Sequence, residues 1–214
     1  MPKPSPSRRG ALSQGLVIGL VALLLLVILP AGCGVSKYNG IASNREAVDA
    51  AWSSVQSDYK RRSDLIPQLV EVVKGASQFE SETLQAVVDA RAKATSTTIN
   101  AEDLDDPAKF QAFTEAQSEL SGALSRLLVT VERYPELKAV GAYRDLQVQL
   151  EGTENRINVS RKDYIEAVRV YNTSIVRFPG NVIAGFTGFE KLPQFEVEEA
   201  ETAVPTFDLT PDSE

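Results

Sequence analysis

The chain has 214 residues, 24% of them charged and 43% hydrophobic, with a formal net charge of −7. An acidic chain of this kind repels phosphate backbones, which argues against a nucleic-acid partner. It contains no histidine and a single cysteine, Cys33, so Ser-His-Asp and Cys-His catalysis, HExxH zinc sites, His-dependent di-iron centres and an intrachain disulfide are all excluded.

Residues 1–36 read as a cytoplasmic stub and membrane anchor. Lys3, Arg8 and Arg9 precede a stretch from Gly10 to Val35 without any charge, and Leu16 to Leu29 is apolar apart from Gly19. Such a run is a membrane span or a secretion signal. Positive charges ahead of it stay in the cytoplasm, which predicts that everything after about Ser36 lies outside. Two versions give the same topology. In one the span is retained. In the other Cys33 is lipidated after cleavage, since Leu29-Pro30-Ala31-Gly32-Cys33 resembles a bacterial lipobox, with Pro30 where Leu is expected.

Residues 37–179 carry a helical pattern and no credible strand. Val48, Trp52, Val55, Tyr59, Ile66, Leu69 and Val73 recur every three or four residues, predicting helix over 38–74. Pro67 lies inside that stripe and predicts a kink near Asp64, or else a full break with a new helix capped by Ser63 or Asp64. Leu84, Val87, Val88 and Ala90 predict a second helix over 78–98. Thr95 to Pro107 reads as a loop ending in an Asp106 cap with Pro107 in the first turn. Phe110, Phe113, Leu120, Leu124, Leu127, Leu128 and Val131 predict a third helix, ending near Tyr134-Pro135. Tyr143, Leu146, Leu150, Ile157, Tyr164, Val168, Tyr171 and Ile175 predict a fourth over 138–177, stopped by Pro179-Gly180. Long helices, short connections and one apolar stripe each give an all-α fold, an antiparallel up-and-down four-helix bundle. Residues 180–195 form an apolar, glycine-rich segment. Residues 196–214 are acidic without a base and read as a disordered tail.

Several residues carry more information than the pattern. Arg62 falls between Tyr59 and Ile66 on the core-facing stripe, so it needs a buried carboxylate; Glu154 or another acid of the fourth helix is the expected source. Lys60 and Arg61, with Asp58 and Asp64, complete the densest charge cluster, which offers either a contact for a partner's acidic groups or a set of solvated and intrahelical pairs. Asn155 and Arg156 lie mid-helix, where polar groups near a seam fix register. Trp52 reads as core. Glu151 and Glu154 lack a second acid pair at matching spacing, so no metal site and no cofactor is expected. In an up-and-down arrangement the fourth helix returns to the membrane. That places Phe178, Val182, Ile183, Phe186 and Phe189 beside the lipid, either touching the bilayer or a membrane partner, or folding back to cap the bundle.

Tyr38-Asn39, Asp49-x-x-Trp52-x-x-Val55, Arg61-Arg62-x-Asp64-Leu65-Ile66-Pro67-x-Leu69-Val70, Val73-Lys74-Gly75, Gly122-Ala123-Leu124-Ser125-Arg126-Leu127, Glu132-x-Tyr134-Pro135-x-Leu137-Lys138, Thr153-Glu154-Asn155-Arg156-Ile157, Tyr171-Asn172 and Phe178-Pro179-x-Asn181-x-Ile183-Ala184 together resemble the LemA family, in family order over roughly 38–200. The chain departs from that pattern at Ser77-Gln78-Phe79-Glu80, where relatives carry an aromatic and a His before the Glu. The resemblance implies an extracytoplasmic helical bundle behind an anchor and no defined reaction. One branch of the family serves magnetosome membrane biogenesis, and genes for relatives neighbour membrane proteases or TPM-domain proteins. The expected function is a membrane-anchored scaffold or adaptor of the bacterial envelope, not an enzyme. The rivals are an accessory lipoprotein of a membrane protease or envelope-stress system, and a His-independent hydrolase.

Overall fold

The computed structural model describes residues 8–75 and 80–195; the acidic tail predicted over 196–214 lies outside them. Among the described residues the chain is all-helical. The elements are α1 (Arg8–Lys74), α2 (Ser81–Ser96), a 3-10 turn (Ala101–Asp103), α3 (Pro107–Val131), the single turn α4 (Pro135–Lys138), α5 (Gly141–Val176) and α6 (Gly180–Thr187).

The span and the first core helix, expected as separate pieces, are one helix of 67 residues. The apolar run is separated from the stripe that begins at Ile41 by helix-weakening residues and an Asn39-Gly40 turn signal, and the helix runs through them all the same. Pro30, Gly32, Gly34 and Gly40 weaken the helix locally, yet propagation from both sides costs less than two new ends. From Val17 to Leu29 its described side chains are exposed, and this is one stretch long and apolar enough to cross a membrane.

The full break considered at Pro67 does not occur. Pro67 has no N–H to offer the Ser63 carbonyl four residues back. That carbonyl instead accepts a hydrogen bond from Arg91 Nε of α2 at 2.8 Å, and Ser63 Oγ meets Thr95 Oγ1 at 3.0 Å. The gap that proline leaves in the α1 ladder is thus a docking point for α2.

Asp106 caps α3 as its sequence predicts, accepting from the Ala108 and Lys109 amides. The loop before it is stapled to α1: Ile99 O accepts from Trp52 Nε1 at 3.2 Å and also from Gln56 Nε2, and Ala101 O accepts from Arg45 Nη2 at 2.7 Å. Ile99 and Leu104 are fully buried there. The third helix stops at Val131 rather than near Tyr134, because Pro135 starts its own turn, α4, which buries Leu137.

Helix α1 packs along α5, and α2 along α3, with α2 also on α1. Contacts run in opposite numerical senses: Trp52 meets Tyr164, Asp58 meets Arg156 and Arg62 meets Glu154. The core divides into two clusters. One is built from Leu65–Val73 of α1 with α2, the later part of α3, α4 and the start of α5. The other is built from Ile41–Tyr59 with the loop, Phe110 and Phe113, the later part of α5, and Ala184, Leu192 and Phe195.

Candidate functional site

Between the two clusters lies one polar layer, centred on Arg62. The side chain is 1% exposed. Its Nη1 donates to Ser121 Oγ at 2.7 Å and to Glu154 Oε2 at 3.1 Å; its Nη2 donates to Gln117 Oε1 at 2.8 Å and to the Gln117 carbonyl at 3.3 Å. Gln117 Nε2 in turn donates to the Ala94 carbonyl of α2. The guanidinium also sits 5.0 Å from the Tyr59 ring centre, a favourable cation–π arrangement. Nε alone among its nitrogens makes no hydrogen bond. Helices α1, α2, α3 and α5 therefore meet at one charge. Glu154 is half-exposed at 47%, so the pair has one wet end, and Arg62 itself is closed to any ligand.

Gln117 and Ser121 carried no role in the sequence reading. The signal was present: Gln117 lies four residues after Phe113 and three before Leu120, on the stripe of α3 that faces the core. Lys60, Arg61 and Asp64 are exposed, while Arg156 reaches Asp58 at 3.8 Å and Thr153 Oγ1 at 3.0 Å. Beside this pair a shallow, open groove of about 340 Å³ is lined by Ser54, Asp58, Asn155, Arg156, Val159, Ser160 and Asp163. Glu151 takes a bond from Gln147 of its own helix. Among the described residues no three His, Cys, Asp or Glu side chains group as metal ligands. Trp52 is fully buried, ringed by Phe110, Phe113, Tyr164 and Phe195.

At the other end of α5, residues 180–195 are more ordered than a glycine-rich connection suggests. Gly180 starts α6, packed so closely that a Cβ there would stand 2.0 Å from the Ser174 carbonyl oxygen. Only glycine fits such an approach. After Gly188, which takes φ +76° to end α6, the chain returns along α5 as a strap. Tyr171 Oη donates to Glu190 O, Tyr164 Oη to Pro193 O, and Asn172 exchanges a reciprocal pair with Leu192, Nδ2 to O at 2.9 Å and N to Oδ1 at 3.0 Å. Phe195 ends the strap among the rings around Trp52, under Arg161 at 4.6 Å. The five residues singled out in this region separate into two sets. Ile183 and Phe189 pack on the core, and Phe189 meets Tyr38 at 5.8 Å between ring centres. Phe178, Val182 and Phe186 point away, at 82%, 47% and 88% exposure. Cys33 is exposed on α1.

These features define a class, a protein all-helical among its described residues, with one helix there long and apolar enough to cross a membrane. The chain belongs to the LemA family, whose sequence model matches residues 51–208. It is 25% identical over 200 residues to magnetosome protein MamQ 2 of Paramagnetospirillum magneticum, covering 86% of this chain and 71% of that protein. Magnetosome protein MamQ of Magnetospirillum gryphiswaldense is 23% identical over the same shares. Protein LemA of Metamycoplasma hominis is 23% identical over 167 residues, 78% of this chain and 72% of that protein.

Proposed function

We propose that this protein is a membrane-anchored, extracytoplasmic helical scaffold of the bacterial envelope, in which α1, α2, α3 and α5 pack as an antiparallel up-and-down bundle and act by binding rather than by turnover. The observation that carries this reading is the continuity of α1. The uncovered apolar stretch and the stripe that builds both core clusters belong to a single helix, Arg8–Lys74. A bundle continuous with its span stands close above the bilayer, which suits a protein that positions others. Lys3, Arg8 and Arg9 ahead of the run support the outward orientation.

Topology is tested by adding protease to spheroplasts carrying the full chain with a C-terminal tag. The helical region should be digested without lysis; protection until lysis would reverse the orientation. The mass of the mature N-terminus separates a retained span from a diacylated Cys33. Crosslinking in membranes, followed by capture through the tag, should recover a stoichiometric membrane partner. Recovery of the protein alone, with hydrolytic turnover by the purified chain, would replace the scaffold reading with the enzyme one.

A further inference from the structure

We infer that α6 is an interfacial helix, and that Phe178, Val182 and Phe186 insert into the phospholipid headgroup layer of the bilayer that α1 crosses. The inference rests on α1 being a retained span. Two independent observations meet here.

The first is the chemistry of α6. A short surface helix ordinarily turns one apolar face inward and a polar face to water. In α6 the inner face holds Gly180, Ile183 and Ala184 against α1 and α5, while Val182 and Phe186, four residues apart, share the outer face with Phe178 beside them. From Val176 to Phe189 there is no acidic residue, and the one charge is Arg177, which is exposed. Nothing within the described chain covers these three side chains, and a solvated helix end has no use for two phenylalanines more than four-fifths exposed.

The second is depth. The uncharged stretch of α1 ends at Ser36, and Lys37 is the first charge after Arg9. Twenty residues ending at Ser36 cover about 30 Å, the thickness of the hydrocarbon core. The segment meets α1 at Tyr38, through Phe189, and at Ile41, beside Gly180. These positions lie two and five residues past Ser36, about 3–8 Å along the helix axis. Headgroups occupy that depth, and an amphipathic helix lies within it. Tyr38 and the exposed cations Lys37 and Arg177 fit the same layer, as an aromatic belt residue and partners for lipid phosphate. A second copy or a protein partner would need no such match between the height of α6 and the end of the span.

The test uses the full chain carrying Cys33→Ser, reconstituted in phosphatidylcholine–phosphatidylglycerol vesicles, with a polarity-sensitive fluorophore on a single cysteine. Headgroup and acyl spin-labelled lipids are the quenchers. Three sites are compared: Leu24→Cys in the apolar run, Phe186→Cys on α6, and Val148→Cys, exposed on α5 and about 42 Å along that helix from Val176. All three positions are exposed, so the labels leave the fold intact. The expected result is quenching at Leu24 by acyl spin labels, quenching at Phe186 by headgroup labels at least about twofold above that at Val148, and loss of the Phe186 signal in detergent. Quenching at Leu24 with Phe186 no different from Val148 overturns the inference and leaves the span standing. No quenching at Leu24 removes the span and the inference together.

Discussion

Arg62 is the residue on which most of the molecule converges, and its partners are unequal. Replacing it with Met removes the donors that satisfy Gln117 Oε1, Ser121 Oγ and Glu154 at once. Leaving buried acceptors unpaired is the larger part of the penalty, so Arg62→Met should lower unfolding free energy by about 2–3 kcal/mol. Glu154 is half in water and its place can be taken by solvent, so Glu154→Gln should cost only about 0.5–1 kcal/mol. Urea denaturation of the two variants measures the ratio; equal losses would show that the ion pair, not the buried amide and hydroxyl, holds the layer. The need for a carboxylate near Arg62 was legible, because charge on a core stripe demands one. That the stronger partners are neutral groups of α3 was less so, because a polar residue on one helix stripe does not reveal which neighbouring helix faces it.

At the scale of elements, the sequence made the existence of each long helix plain and their ends less so. Hydrophobic spacing is a sum over many turns, whereas an end depends on one cap or one proline. Pro67 illustrates the difference. Its spacing predicted a distortion of α1, but its consequence lies on another helix: the Ser63 carbonyl that it orphans is taken by Arg91. Arg91→Met should therefore cost about 1–2 kcal/mol in the natural background, from one unpaired carbonyl. In a Pro67→Ala background the new amide can bond Ser63 itself, and the same change should cost about 1 kcal/mol less. Additive losses in that double-mutant cycle would disprove the coupling. Gly180 tests the other end. A methyl group there collides with backbone, not with a flexible side chain, so Gly180→Ala should displace α6 at a cost of about 1–3 kcal/mol. Hydrogen exchange at the Leu192 amide should accelerate while that of Leu84–Ala94 stays unchanged. The strap itself left little trace in the sequence, since its anchors are side-chain bonds from Tyr164, Tyr171 and Asn172 to main-chain atoms, which follow no period.

Across the whole molecule the two core clusters differ in chemistry, and pH should separate them. Tyr59, Tyr164 and Tyr171 all belong to the cluster nearer the apolar stretch of α1, while the other holds Tyr143 inside it and Tyr134 packed against it. Burial raises the phenols of Tyr59, Tyr143, Tyr164 and Tyr171 above the ordinary value of 10.0, most strongly at Tyr164, where nearby Arg45 opposes the rise only in part. A phenol that stays protonated in the folded chain but ionises in the unfolded one leaves stability unchanged below pH 10. As pH climbs past that value the unfolded state releases protons that the folded state retains, so stability falls until the folded phenol itself ionises, at up to about 1.4 kcal/mol per pH unit for a strongly shifted group such as Tyr164. Tyr59 and Tyr171 shift in the same direction beside it, so the decline draws most on this cluster. Trp52, the only tryptophan, sits in the same cluster, so its emission should shift to the red above pH 10, as the α6 strap and its ring contacts loosen. Tyr164→Phe removes a hydrogen bond to Pro193 and should weaken the chain slightly at neutral pH, yet move the alkaline transition upward. A transition at the same pH in both proteins would remove Tyr164 as its source and leave the loss to Tyr59, Tyr171 or surface lysine ion pairs.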